Sequence, residues 1–233
     1  MTNKTWFGKI GFRFQPVIQR PQAAILQQLK VYSACNISDG ANKMYTMYPD
    51  IKPLGGSHKI CGPAVTVELP MGDNLMLHKA LSLVQPGDIL VVDAHGCMDF
   101  STCGGIMMRR MAKLGVQGIV VDGCVRDLEE FTGCGLPVFA KGLSPRGGGK
   151  AGPGQINFPI CCGRLVVMPG DIILADENGI VCIPQADIDE VIQGVEAKLS
   201  KEKTALAEIA AGHLVKSDID DILRLKNILR EAK

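Results

Sequence analysis

Residues 104–127, GGIMMRRMAKLGVQGIVVDGCVRD, decide how this chain is read. A glycine pair precedes a run at helical spacing. Ile106, Met107, Arg110, Met111 and Leu114 fall near one face of that run, and Gly115 supplies its C-cap. The apolar triplet Ile119–Val121 reads as a short buried strand, and so does ILVV in PGDILVVDA, residues 86–94. Strand, helix and strand in this order predict a right-handed parallel crossover. The stretch ends on a turn carrying Arg126 beside Asp127. A turn is a poor place to use either residue for packing. Arg clamps a carboxylate with two parallel hydrogen bonds, and Asp is a hard oxygen ligand. The pair therefore suggests a site for a small acid, with a divalent metal as a further expectation.

Outward from this stretch, residues 1–20 read as an irregular or strand-like arm. Pro21 sits at a first helical position, and a helix is expected to continue through AAILQQLKVYSA. Ser38 is a candidate N-cap for a helix in DGANKMYTMY. HKICGPAVTVEL reads as a strand bent at Gly62-Pro63. DNLMLHKALSLV reads as a helix capped by Asp73. After the turn at Arg126, LEEFTG reads as a short helix and PVFAKG as a strand. SPRGGGKAGPGQIN is a glycine-rich loop, and RLVVMPGDIILADENGIVCIP holds short β segments. From Gln185 the chain reads as helical up to a C-cap at Gly212. A last amphipathic helix, Ser217–Lys233, carries Ile219, Ile222, Leu223, Leu225, Ile228 and Leu229. No flexible linker divides the chain, which gives a domain over 21–212 between an N-terminal arm (1–20) and a C-terminal amphipathic segment (213–233).

Composition excludes several functions. The 233 residues are 46% hydrophobic and 21% charged, enough for a substantial core. With net charge +1 and scattered Lys and Arg there is no basic field for nucleic acid. No run of about 18 apolar residues suits a membrane, and MTNKTWFGKIGFRF does not read as a leader, so a soluble cytoplasmic protein is expected. The nine cysteines form no CxxC pair and read as reduced thiols; the four histidines are dispersed, against a Cys/His zinc site.

Other chemistries find weak support. Gly147-Gly148-Gly149-Lys150 lacks the Gly at 144 and the Ser or Thr at 151 of a phosphate loop, and reads as a flexible or ligand-adjacent loop. No GxGxxG follows a strand, which speaks against a dinucleotide cofactor and weakens a Rossmann-type methyltransferase. There is no GxSxG elbow. Cys103 and Cys124 read as small apolar fillers, and no lysine lies in an apolar strand where imine chemistry would want it. Gly104-Gly105 and Arg126-Asp127 remain. A plain reading makes them helix caps and a surface pair. The functional reading opens the N–H groups of Gly105, Ile106 and Met107 to an anion at a helix N-terminus, lets Arg126 fix that anion and polarise a carbonyl, and gives Asp127 a divalent cation. Such parts could bind a 2-oxo acid and stabilise an enolate.

Several motifs together resemble one family: SDGANK, GPAVTV, PGDILVVD, the glycine pair with LGVQGIVVDGCVRD, GLPVFAKGLSPRG, and MPGDIILADENGIVCIP. The family is RraA-like. It contains the regulator of ribonuclease activity A and the 4-hydroxy-4-methyl-2-oxoglutarate/4-carboxy-4-hydroxy-2-oxoadipate aldolases, with members once labelled demethylmenaquinone methyltransferases. The resemblance runs from about residue 20 to residue 212. It implies an α/β fold of the swivelling β/β/α type, here with a helical C-terminal arm, assembled as a homotrimer or hexamer with active sites between subunits. It also implies a lyase dependent on Mg²⁺ or Mn²⁺ that cleaves 4-hydroxy-2-oxo acids, decarboxylates oxaloacetate, or both, through a pyruvate enolate. Arg126 would bind the carboxylate and keto oxygen of pyruvate, and Asp127 would be the metal-site carboxylate. Backbone around Gly104, Gly105, Ile106 and Met107 would receive the pyruvate carboxylate. Glu202, or else Glu196 or Glu208, would serve a neighbouring subunit's site. One departure stands out. The aldolases carry an acidic residue 21 positions before the site Arg, where this chain has Gly105. Asp99 and Asp93 are the nearest carboxylates in sequence. The regulator branch also departs from the catalytic pattern, so a non-catalytic ring binding a protein partner such as a ribonuclease is the alternative.

Overall fold

The computed structural model describes residues 5–55, 59–215 and 218–229. The elements up to the central crossovers are β1 (Phe7–Lys9), β2 (Phe12–Phe14), α1 (Ala23–Leu29), α2 (Ala34–Gly40), β3 (Lys52–Leu54), β4 (Ile60–Glu68), α3 (Leu75–Ala80), β5 (Ile89–Ser101) and α4 (Gly105–Lys113). There follow β6 (Gly118–Val125), α5 (Leu128–Cys134), β7 (Val138–Leu143), β8 (Gly154–Ile156), β9 (Ile160–Cys162), β10 (Leu165–Val167), β11 (Ile172–Asp176), β12 (Gly179–Ile183), α6 (Ile188–Ala210) and α7 (Ile219–Leu225).

Four strands, β4, β5, β6 and β7, lie side by side in parallel. The connections between them run through α3, α4 and α5. Strand order follows chain order, so crossovers of one hand place all three helices on one face. The alternation of side chains shows this. Leu90, Val92, Ile119 and Val121 join a core with Met76, Leu77, Met107, Met108, Met111 and Phe131 from the helices. Their strand neighbours Ile89, Val91 and Val120 face the other way, onto Ile160, Val167, Ile173 and Cys182. The second face is thus covered by β, and the layering is β/β/α as expected. The far side of the β11–β12 hairpin packs Leu174 and Val181 on Leu29, Ile37, Val191 and Val195 of α1, α2 and α6.

β4 links the two β layers. Its first part, Ile60–Pro63, pairs antiparallel with β11; from Ala64 it pairs in parallel with β5. The bend expected at Gly62-Pro63 is therefore the place where one strand changes partner. The N-terminal arm also joins the sheet, with β2 parallel to β8.

Other expectations are corrected. α1 begins two residues after Pro21, with Gln22 as N-cap, and ends at Leu29. The next helix starts at Ala34 because Ser33 and Asn36 form a reciprocal capping box, both bonds at 3.1 Å. Ser38 is inside α2 and its hydroxyl meets that of Thr46 at 2.7 Å. Asn42 and Lys43, both at positive φ, stop the helix expected through DGANKMYTMY. β5 runs well past ILVVDA, through a bulge where His95 and Gly96 take positive φ. The last helix covers only Ile219–Leu225, with Asn227 at positive φ beyond it; Ser217 and residues 230–233 lie outside the described residues. Leu206, Ile209, Leu214, Ile222 and Leu225 of this C-terminal arm are exposed. Among the described residues no helix is long and apolar enough to cross a membrane.

Candidate functional site

The loops that follow β4, β5, β6 and β7 all leave from the carboxyl ends of the parallel strands, where open α/β sheets build their ligand sites. They supply most of the wall of a pocket of about 390 Å³, including Asn74, Cys103, Gly104, Arg126, Asp127, Gly147 and Lys150. α4 contributes Ile106, Met107 and Arg110, and α3 contributes His78.

Short-range bonds fix the pocket floor. Thr102 N–H donates to the Cys124 carbonyl at 2.9 Å and Arg126 N–H to the Cys103 carbonyl at 3.1 Å. These bonds hold the turn after β6 against the glycine pair before α4. Asp127 sits in the left-handed region, φ 64°, a strained setting that Asp tolerates better than most residues. Its Oδ2 accepts the Gly105 N–H at 2.9 Å and lies 3.7 Å from Arg126 Nε. Arg126 also donates from Nη1 to the Pro145 carbonyl at 3.4 Å.

The glycine pair is a steric requirement of this turn. A Cβ on Gly104 would stand 2.4 Å from Asp127 Oδ2, and one on Gly105 would stand 2.5 Å from Glu130 Cβ and 2.7 Å from Glu130 Cγ. The stem of Glu130 thus lies over Gly105 and leaves no room for a side chain there. The Glu130 carboxylate is engaged by Arg109, whose Nε donates at 2.7 Å. Asp93 does not line the pocket; its oxygens accept from His95 N–H at 2.9 Å and Cys161 N–H at 3.3 Å. Asp99 does not line the pocket either.

The expected anion cradle needs correction. Of the three N–H groups proposed, Gly105's goes to Asp127 and Met107's to the Gly104 carbonyl at 3.0 Å. Ile106 N–H alone among them has no partner within the described residues. Glu202 lies on α6 and does not line the pocket of its own chain.

Sequence reading missed His78, Arg110 and Lys150 as pocket groups. One signal was present: a charged Arg110 placed on the otherwise apolar face of α4. Burial, and then Lys150 and Arg110, hold His78 below the ordinary imidazole range. Burial pushes the Cys103 thiol up to about 12, which fits a filler rather than a nucleophile. Lys141 is pushed down by burial, but Asp122 and Asp50 outweigh this and raise it, so it stays an ammonium unsuited to imine formation. The glycine-rich loop lines the pocket through Gly147, Gly148 and Lys150. Gly149 N–H bonds the Gly72 carbonyl at 2.7 Å, and Ala151 N–H bonds Asp73 Oδ2 at 2.6 Å. The N-cap of α3 is Asn74 rather than the expected Asp73, whose Oδ1, one residue earlier, accepts the Leu75 N–H at 2.8 Å.

Among the described residues Asp127 is the only carboxylate that lines the pocket, and one of its oxygens is already used. Such a donor set fits a Mg²⁺ or Mn²⁺ ion that keeps several waters, as Mg²⁺ commonly does, and does not fit a cage of protein ligands. No group of three or more His, Cys, Asp and Glu among the described residues could hold a metal.

Fold and site define a class: a β/β/α domain with a cationic pocket at the carboxyl ends of its parallel strands. The chain belongs to the RraA-like family (Aldolase/RraA), whose pattern matches residues 34–182. A provisionally named 4-hydroxy-4-methyl-2-oxoglutarate aldolase of Halalkalibacterium halodurans is 33% identical over 178 residues, covering 76% of this chain and 85% of that protein. Among solved structures, a Streptomyces coelicolor protein described as an unusual member of the RNase ES inhibitor RraA family superposes with a TM-score of 0.73. It is 26% identical and covers 81% of this chain and 98% of its own. The RNA-processing inhibitor RraA of Thermus thermophilis gives 0.61 at 29% identity, covering 66% and 93%.

Proposed function

We propose that this protein is a lyase that releases pyruvate from small 2-oxo acids, by retro-aldol cleavage of a 4-hydroxy-2-oxo acid or by decarboxylation of oxaloacetate. The observation that carries the reading is Arg126, set by Asp127 and the glycine pair at the mouth of α4, in a pocket otherwise rich in cations. Arg126 receives the carboxylate and the keto oxygen of the substrate. In the retro-aldol reaction the C4 hydroxyl gives its proton to a water, C4 becomes the carbonyl of the second product and the C3–C4 bond breaks. The electron pair moves into a pyruvate enolate, which then takes a proton at C3. Negative charge grows on the keto oxygen, where a guanidinium already in place stabilises the transition state more than the ground state. Ile106 N–H and the positive end of α4 favour the carboxylate. Asp127 would hold Mg²⁺ or Mn²⁺, which when bound supplies Lewis-acid polarisation and an acidified water.

The exposed apolar C-terminal arm supports assembly as a trimer or hexamer, in which Glu202 is offered to a neighbour's pocket. The test of the lyase reading is pyruvate release with and without added metal. A second reading, a non-catalytic regulator of a ribonuclease, is favoured by the single pocket carboxylate and by the relatives described as RNA-processing inhibitors. Slowed RNA cleavage by a purified endoribonuclease on adding this protein, together with no pyruvate release, would select it.

A further inference from the structure

A second cavity, of about 300 Å³, opens between the β1–β2 hairpin and the ends of β4 and β5. It shares no lining residue with the pocket of Arg126. The glycine-rich loop runs from one to the other, with Lys150 on the first and Pro153 on the second. Ile10, Leu69, Pro70 and Pro153 give the second cavity apolar walls, and Arg13, Glu68 and His95 bring charge to it. Arg13 and Glu68 do not pair with each other. Arg13 donates from Nε to Gln155 Oε1 at 2.8 Å and lies over the Phe158 ring, 4.3 Å from its centroid. Among the described residues no Lys or Arg pairs with Glu68; its one charged neighbour is His95.

His95 narrows the ligand chemistry. Its Nδ1 lies 3.5 Å from Asp93 Oδ1 and its Nε2 lies 3.8 Å from Glu68 Oε1. Asp93 is buried and fixed by two backbone N–H groups, so it favours the proton of a neutral imidazole on Nδ1. Nε2 then turns a lone pair towards the Glu68 carboxylate, and two acceptors face each other. A metal ion fits this gap poorly. Two ligand atoms about 2.1 Å from an ion, at tetrahedral or octahedral angles, stand about 3.0–3.4 Å apart. A primary ammonium spans it with hydrogen bonds of about 2.9 Å to each side, and it supplies the charge that Glu68 lacks. We propose that this cavity binds a free α-amino acid with an apolar side chain. The ammonium sits between Glu68 and His95, the carboxylate meets the outer N–H groups of Arg13, and the side chain lies against Ile10, Leu69 and Pro70. The small volume suits a ligand of this size.

The test is calorimetric titration of the full chain with L-leucine, 4-methylpentanoate and L-leucinamide. The second lacks the ammonium and the third lacks the carboxylate, while all three keep the same branched chain. Wild type is expected to bind L-leucine at least about tenfold more tightly than either. The Glu68 side chain accepts no hydrogen bond from the described residues, so Glu68→Gln probes the cavity without loosening the hairpin. It should weaken L-leucine at least about tenfold and change 4-methylpentanoate less than about twofold. Arg13→Gln should weaken L-leucine as well. Arg126→Gln, in the other cavity, should leave L-leucine binding as it is. No binding of L-leucine by wild type overturns the proposal, and so does an equal affinity for L-leucinamide, which would make a chain N-terminus the ligand instead. L-leucine binding that survives Glu68→Gln, or that is lost in Arg126→Gln, overturns it too.

Discussion

Substituting Gly105 by alanine should destabilise this protein, although alanine is the better helix former. The added Cβ would sit 2.5 Å from Glu130 Cβ and 2.7 Å from Glu130 Cγ, with Asp127 Cβ at 3.5 Å. Carbon contacts are comfortable at about 3.5–4.0 Å, so α5 must move by roughly an ångström. Overpacking of this kind costs about 1–3 kcal/mol. The gain in helix propensity offsets at most about 1 kcal/mol. At the middle of the overpacking range, about 2 kcal/mol, the net loss is at least about 1 kcal/mol, a fall in Tm of roughly 2–4 °C or more for a chain of this size. Gly133 provides the control. It lies in the neighbouring helix α5 and a Cβ there meets nothing within 4 Å. Gly133→Ala should therefore stabilise by about 0.5–1 kcal/mol. Combining Gly105→Ala with Glu130→Gly should cost less than the sum of the two single changes, because the clash is gone. Thermal unfolding of the four variants reads all of this. A Gly105→Ala protein as stable as wild type, or shifted in the same direction as Gly133→Ala, refutes the steric account of Gly105. It would also reopen the site to an acidic residue there by simple substitution.

Three further outcomes are expected. Asp73→Ala removes two bonds accepted by one buried carboxylate, from Leu75 N–H at the start of α3 and from Ala151 N–H of the glycine-rich loop; denaturant unfolding should show a loss of about 1–3 kcal/mol, and a change under about 0.5 kcal/mol would contradict this role. Iodoacetamide at mildly alkaline pH should modify the exposed Cys35 and Cys161 first, while Cys103 and Cys61, whose thiols burial raises to about 12 and about 11, react only on unfolding; early labelling of Cys103, read by peptide mass spectrometry, would count against its packed position. The folded-state pKa of His78 is below its unfolded value, so the unfolded chain binds more protons in that range. The His78 contribution to stability is therefore full above about pH 6.5 and lost as pH falls below it. The difference in Tm between wild type and His78→Gln should change across that interval, and a pH-independent difference would show that the shift is absent.

The parts of the fold set by local pattern were legible in the sequence. The unbroken apolar runs ILVV and IVV, and the helical spacing of α4, gave the parallel crossovers that carry the site. The resemblance gave the β/β/α layering. Boundaries failed where a side-chain bond decided them. Nothing in AAILQQLKVYSA announces that Ser33 and Asn36 will cap each other, since Ser38 offers the same side chain to the reader. In the site, Arg126, Asp127 and the glycine pair come from one contiguous stretch. Arg110, His78 and Lys150 meet only because three separate connections converge at the strand ends. The replacement of an acidic residue by Gly105 looked in sequence like a missing ligand. In space it is the room that Glu130 needs, a contact over 25 positions that spacing does not reveal.

The central claim is that Arg126 stabilises an enolate formed from a 2-oxo acid. Its most direct test is the rate of pyruvate formation from 4-hydroxy-4-methyl-2-oxoglutarate and from oxaloacetate, with and without Mg²⁺ or Mn²⁺, for wild type and Arg126→Gln. The account predicts metal-dependent release of pyruvate that falls by about a hundredfold or more in the variant. No metal-dependent release by wild type, or full activity in Arg126→Gln, would contradict it.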